Sequence, residues 1–142
     1  METILKPEEL HKISHEAEMA EVEATLVKKK KSEQAQEDLR HTFMARDIAP
    51  EAPAIINAAV KTAAQRGLRE VQMLRFPASY CNDGGRSINN FEPDWHKSLE
   101  GFAKRAYQYY EKELQPLGFK TGAQIVSFPE GIPGDVAVYL RW

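Results

Sequence analysis

Between Pro7 and Pro50 the chain contains no glycine and no other proline, and Phe43 is its only aromatic residue before Ala52. Such a stretch offers no residue that readily ends a helix. Pro7 suits the first helical position, with Glu8 and Glu9 beside the positive end of the helix dipole. A single helix from Pro7 to about Ile48 is expected, about 60 Å long at ~1.5 Å per residue, which is longer than a small domain is wide. All eight glycines and nearly all the aromatics lie beyond Pro50. The chain is accordingly expected to divide into a helical segment, 1–49, and a compact domain, 50–142.

The long helix carries Leu10, Ile13, Ala17, Ala20, Ala24 and Val27 at alternating steps of three and four, the spacing of a coiled-coil seam. Met19, Val22 and Leu26 form a second stripe beside it. A solitary solvated helix has no use for that much apolar surface, so a partner helix is expected. Glu16, Glu18, Glu21 and Glu23 precede the basic run Lys28–Lys31. A parallel pair would set each block against its own copy, whereas an antiparallel pair centred near Thr25 brings opposite charges together. The expected assembly is a homo-oligomer, specifically an antiparallel helix dimer. After Val27 the apolar phase slips and resumes at Ala35, Leu39 and Phe43, which leaves a helical hairpin as the alternative.

After Pro50 the pattern changes to helix, strand, helix, strand, strand. APEAPAIINAAVKTAAQRG carries a helix beginning near Pro53 and closing at Gly67, with Ile56, Ala59, Val60 and Ala63 facing inward. LREVQMLRF, ending before Pro77, is a strand. Trp95, Leu99, Phe102, Ala106, Tyr110, Leu114 and Leu117 keep one face of a single helix that Pro116 and Gly118 stop. Phe102 is placed among the buried residues. GFKTGAQIVSFP and VAVYLRW make a hairpin. The fold class is α+β: a three-stranded sheet with helices packed on one face, its strand order open.

Chemistry concentrates in SYCNDGGRSINN, Ser79–Asn90. The amides around Gly84 and Gly85 can form a concave anion site, Arg86 adds a fork of donors, and Asn82, Asp83, Ser87 and Asn89 can fix a polar ligand, with His96 nearby in sequence. The same residue types also build an ordinary long turn, and the spacing matches no phosphate-loop or dinucleotide signature. Cys81 could act as a nucleophile beside His96 or Arg86; it equally suits a small buried hydrophobe, the role assigned to it. No catalytic residue can be named. Glu8, His11, His15 and Glu18 share a helix face but lack support for a metal ion, so no metal site is assigned. The residues do not identify a cofactor.

Net charge is −2, and the lysine run has no aromatic platform beside it, which argues against nucleic acid as partner. The start METILKPEELHK lacks a signal-like apolar core and no apolar run is long enough for a bilayer, so a cytoplasmic protein with no membrane partner is expected. Two functions remain in view. One is a noncatalytic protein-interaction or regulatory module that self-associates through its first helix, with a possible further protein partner. The alternative is a small enzyme or an anion- or small-molecule-binding protein using the Ser79–Asn90 loop.

Overall fold

The structure, a computed structural model, describes residues 2–142. Helix α1 runs unbroken over Pro7–Ala45, so the hairpin alternative falls away. Its start is closed as expected: Pro7 opens it, and the Glu9 carboxylate accepts the Lys6 amide at 3.2 Å, one half of a capping box. The chain divides into two compact units, Met1–His41 and Thr42–Trp142. Every described residue before Thr42 is exposed.

The second unit holds the remaining helices, α2 (Ala52–Gln65), α3 (Arg86–Asn89) and α4 (Gly101–Tyr109), and three strands, β1 (Glu70–Pro77), β2 (Lys120–Ile125) and β3 (Asp135–Arg141). The architecture is α+β. Helix α2 is closed by Gly67, just past its end, whose φ of 78° lets its amide bond to the Ala64 carbonyl while the Leu68 amide bonds to that of Ala63. That paired arrangement satisfies carbonyls the helix would otherwise leave bare. Ala63 is buried, and Ile56, Ala59 and Val60 on the same face are half-buried.

The sheet order is β1-β3-β2, with β3 antiparallel to both neighbours. Leu74 and Ala123 flank Val138, and Phe76 and Ile125 flank Val136, so these side chains share one face. Ala103 of α4 and Ile88 of α3 join Phe76, Ile125 and Val136 in the core. Ala137, on the opposite face, is buried as well, between its register partners Arg75 and Gln124. In β1 the register shifts between Gln72 and Leu74, which leaves Met73 in a bulge.

The segment 95–117 departs from the single helix that its periodicity predicts. A 3-10 turn at Trp95–Ser98 gives way to extended backbone at Leu99 and Glu100, α4 begins at Gly101 with φ 56°, and Tyr110–Leu114 is wound as a π-helix before a last 3-10 turn. Each change of winding rotates the apolar phase. Leu99 and Tyr110 are buried, but Phe102 is only half-buried and Leu117 is 73% exposed.

The compact unit also includes the last turn of α1. The Phe43 ring lies 5.3 Å from Phe76, 4.9 Å from Tyr80 and 6.0 Å from Phe102 between centroids. Arg105 donates from Nη1 to the carbonyls of Met44 and Arg46, each at 2.8 Å. The exposed C-terminal carbonyls of α1 thus acquire a charged donor from α4.

Candidate functional site

Within the Ser79–Asn90 loop, the turn from Asp83 to Ser87 is held by the loop's own groups. Asp83 accepts the Gly85 amide at 2.9 Å, the Ser87 amide at 3.0 Å and the Ser87 hydroxyl at 2.6 Å. The Gly84 amide donates to the Cys81 carbonyl and the Arg86 amide to that of Asp83. The amides from Gly84 to Ser87 therefore already have acceptors, and the carboxylate among them is internal. Gly85 is buried with φ 88°, and a Cβ there would meet the Ala78 Cβ at 3.0 Å and Ile125 Cδ1 at 3.3 Å. Only glycine combines that backbone with so close an approach.

Asn82 ties the loop to the next segment: its side-chain amide donates to the Lys97 carbonyl at 3.1 Å and to Glu100 Oε1 at 3.2 Å. Gly84, Arg86 and Asn89 are exposed, and Ser87 is buried. His96 is half-buried in an aromatic group, stacked on Tyr107 at 4.6 Å and 8° and edge-on to Trp95 at 6.1 Å. Burial raises the Asp83 pKa, but the Ser87 and Gly85 hydrogen bonds outweigh it and leave the group below its ordinary value. A depressed folded-state pKa stabilises the protein above the unfolded value and ceases to do so as pH falls through the folded one. Asp83→Asn is expected to lower stability at neutral pH, because a neutral amide accepts from the Gly85 and Ser87 donors less strongly than a carboxylate does. The gap between variant and parent in chemical denaturation should close as pH falls below about 4; a gap independent of pH would refute the charged role.

Cys81 is buried in the core beside Phe76 and Ile88. Burial is the largest influence on its thiol, pushing the pKa up to about 11; the Ser98 hydrogen bond opposes this, and the charges of Asp83 and Glu100 add to the rise. The thiol is neutral at physiological pH and packs as a hydrophobe. On α1, Glu8, His11, His15, Glu18 and Lys28–Lys31 are all exposed. Among the described residues no group of three or more His, Cys, Asp or Glu side chains converges as a metal ion requires, and no helix is long and apolar enough to cross a membrane.

A concavity of about 370 Å³ lies elsewhere in the compact unit, between α2, α4 and the sheet. Ile56 from α2, Phe102 and Tyr107 from α4, and Leu74 and Val138 from the sheet contribute apolar wall. Its volume has a local cause. Ala49, Ala52, Ala103 and Ala106 all line it, so the chain following α1, the start of α2 and the inner face of α4 present methyl groups where larger side chains would meet. Met73 in the β1 bulge and Tyr110 and Leu114 in the π-helical turn also border it. The sequence signal was present as alanines on two facing helices, but alanine spacing equally describes close helix packing. No protein-family model, curated protein or solved structure matches this chain.

Proposed function

We propose that the protein is a noncatalytic interaction module that self-associates through α1 as an antiparallel homodimer, in a cytoplasmic setting. The observation that supports this reading is the exposure of every apolar residue of the helix before Thr42, including Ile13 at 53% and Leu26 at 54%. Leu10, Ile13 and Val27 lie along the seam, and Met19, Val22 and Leu26 broaden it. Covering such a stripe removes apolar area from water at about 25 cal/mol per Å², and a second copy supplies a matching stripe. Ala17, Ala20 and Ala24 permit close approach at its centre. Orientation follows from charge: in the antiparallel pair Glu21 meets Lys29, and Glu18 and Glu23 meet Lys31 and Lys28, of the other copy. Exposed pairs contribute about 0–1 kcal/mol each, so they choose direction while the apolar stripe supplies affinity.

In a Cys81→Ser background, Thr25→Cys is expected to cross-link efficiently between chains, and Leu10→Cys is not expected to pair with its own copy. Sedimentation should give a mass that doubles with concentration. Efficient Leu10 self-cross-linking would overturn the antiparallel arrangement, and a monomer throughout would overturn self-association.

A further inference from the structure

We propose that the cavity between α2, α4 and the sheet binds an amphipathic monocarboxylate, its hydrocarbon tail against Ile56, Phe102 and Val138 and its carboxylate on the Arg46 guanidinium. The volume, about 370 Å³, falls in the range of small-molecule sites, and the wall is predominantly apolar. Its charged residues are two arginines, Arg46 and Arg75, with no Asp, Glu, Lys or His among the lining residues.

The two arginines differ. Arg75 donates from Nε to Asp135 at 3.0 Å and is thereby neutralised. The Arg46 guanidinium lies 4.2 Å from the centroid of the Phe102 ring, and among the described residues it forms no ion pair. Phe102 lines the cavity too, so the stacking holds an uncompensated fork of donors against the apolar wall. Arg105 fixes the backbone beneath it by binding the Arg46 carbonyl at 2.8 Å. One free guanidinium matches one carboxylate in a bidentate pair, whereas a phosphate dianion would retain uncompensated charge. The cavity is also bordered by a β-bulge and a π-helical turn, two irregularities that recur next to binding sites. The inference concerns the compact unit alone and stands whether or not α1 pairs.

The probe is sodium octanoate added to the full chain, read by amide NMR, with 1-octanol and sodium acetate as its separated halves. Octanoate is expected to shift the Ala52, Ile56, Phe102 and Val138 amides saturably, 1-octanol to bind roughly ten-fold more weakly, and acetate to leave them unmoved. Arg46→Gln should reduce octanoate to the affinity of octanol, and Ala106→Leu, which fills the wall, should abolish both. Arg46 is exposed, so its replacement keeps the comparison meaningful even if Ala106→Leu disturbs folding. Equal affinity for octanoate and octanol, unchanged binding by Arg46→Gln, or shifts confined to α1 would each overturn the proposal. So would cavity signals that respond to protein concentration alone and return when octanoate is added, because a segment of a second copy would then be the occupant.

Discussion

Gly101→Ala is expected to destabilise the compact unit by about 2–5 kcal/mol, from the summed costs of a left-handed backbone for alanine and of overpacking. Gly101 opens α4 at φ 56°, and a Cβ built there would stand 2.6 Å from the Met44 Cα, 2.8 Å from Met44 Sδ and 3.1 Å from the Phe43 carbonyl oxygen. Two of these neighbours are backbone atoms of the last turn of α1, which cannot rotate away as a side-chain tip can. Gly67→Ala is the control. Its φ is 78°, yet a Cβ there meets nothing within 4 Å, so it should cost only the conformational part, about 1–2 kcal/mol. Urea denaturation of the two variants separates strain from collision, and equal losses would mean that the Gly101 contact adds nothing.

The second large effect concerns where the folding unit begins. A fragment 42–142 is expected to give a dispersed amide spectrum, whereas a fragment 50–142 should lose about 1–3 kcal/mol, less than a fully buried aromatic would cost because Phe43 is half-buried. The shorter fragment lacks Phe43, whose ring packs on Phe76, Tyr80 and Phe102. It also removes the Met44 and Arg46 carbonyls that Arg105 binds, leaving the Nη1 donor without those acceptors. Phe43→Ala in the full chain should reproduce most of the loss. Equal stability of the two fragments would show that the end of α1 decorates the unit without supporting it.

The change in composition at Pro50 is a conspicuous boundary in the sequence, yet the compact unit begins upstream, at Thr42. Composition reports where helix-breaking residues begin. It does not report which side of a helix terminus the core has recruited, because Phe43 looks the same in the heptad pattern whether it meets a second helix or the Phe76 ring. The loop shows the same limit. Its residue types were legible as donors and acceptors, but Asp83 could face a ligand or the amides of its own turn, and only the backbone path decides which.

Local and periodic information was sufficient for α1, α2, the three strands and the α+β class. A helix start such as Pro7-Glu8-Glu9, a stop such as Gly67 and the alternation in β3 act over a few residues, through backbone sterics and nearby hydrogen bonds. The placement of β3 between β1 and β2 was settled at long range, as were the rewinding after Tyr109 and the cavity beneath α4. Each depends on which side chains meet across the fold. In segment 95–117 the apolar residues repeat at helical spacing, but Leu99 must reach the core beside Ala103 while Gly101 passes against Met44. Gly101 reaches that contact with φ 56°, a backbone conformation that a continuous right-handed helix does not contain. The chain therefore breaks at Leu99–Glu100 and widens at Tyr110, and the phase carried by the sequence ends with Leu117 in solvent. Sequence periodicity specifies a face only while the winding stays constant, and it is tertiary packing that changes the winding.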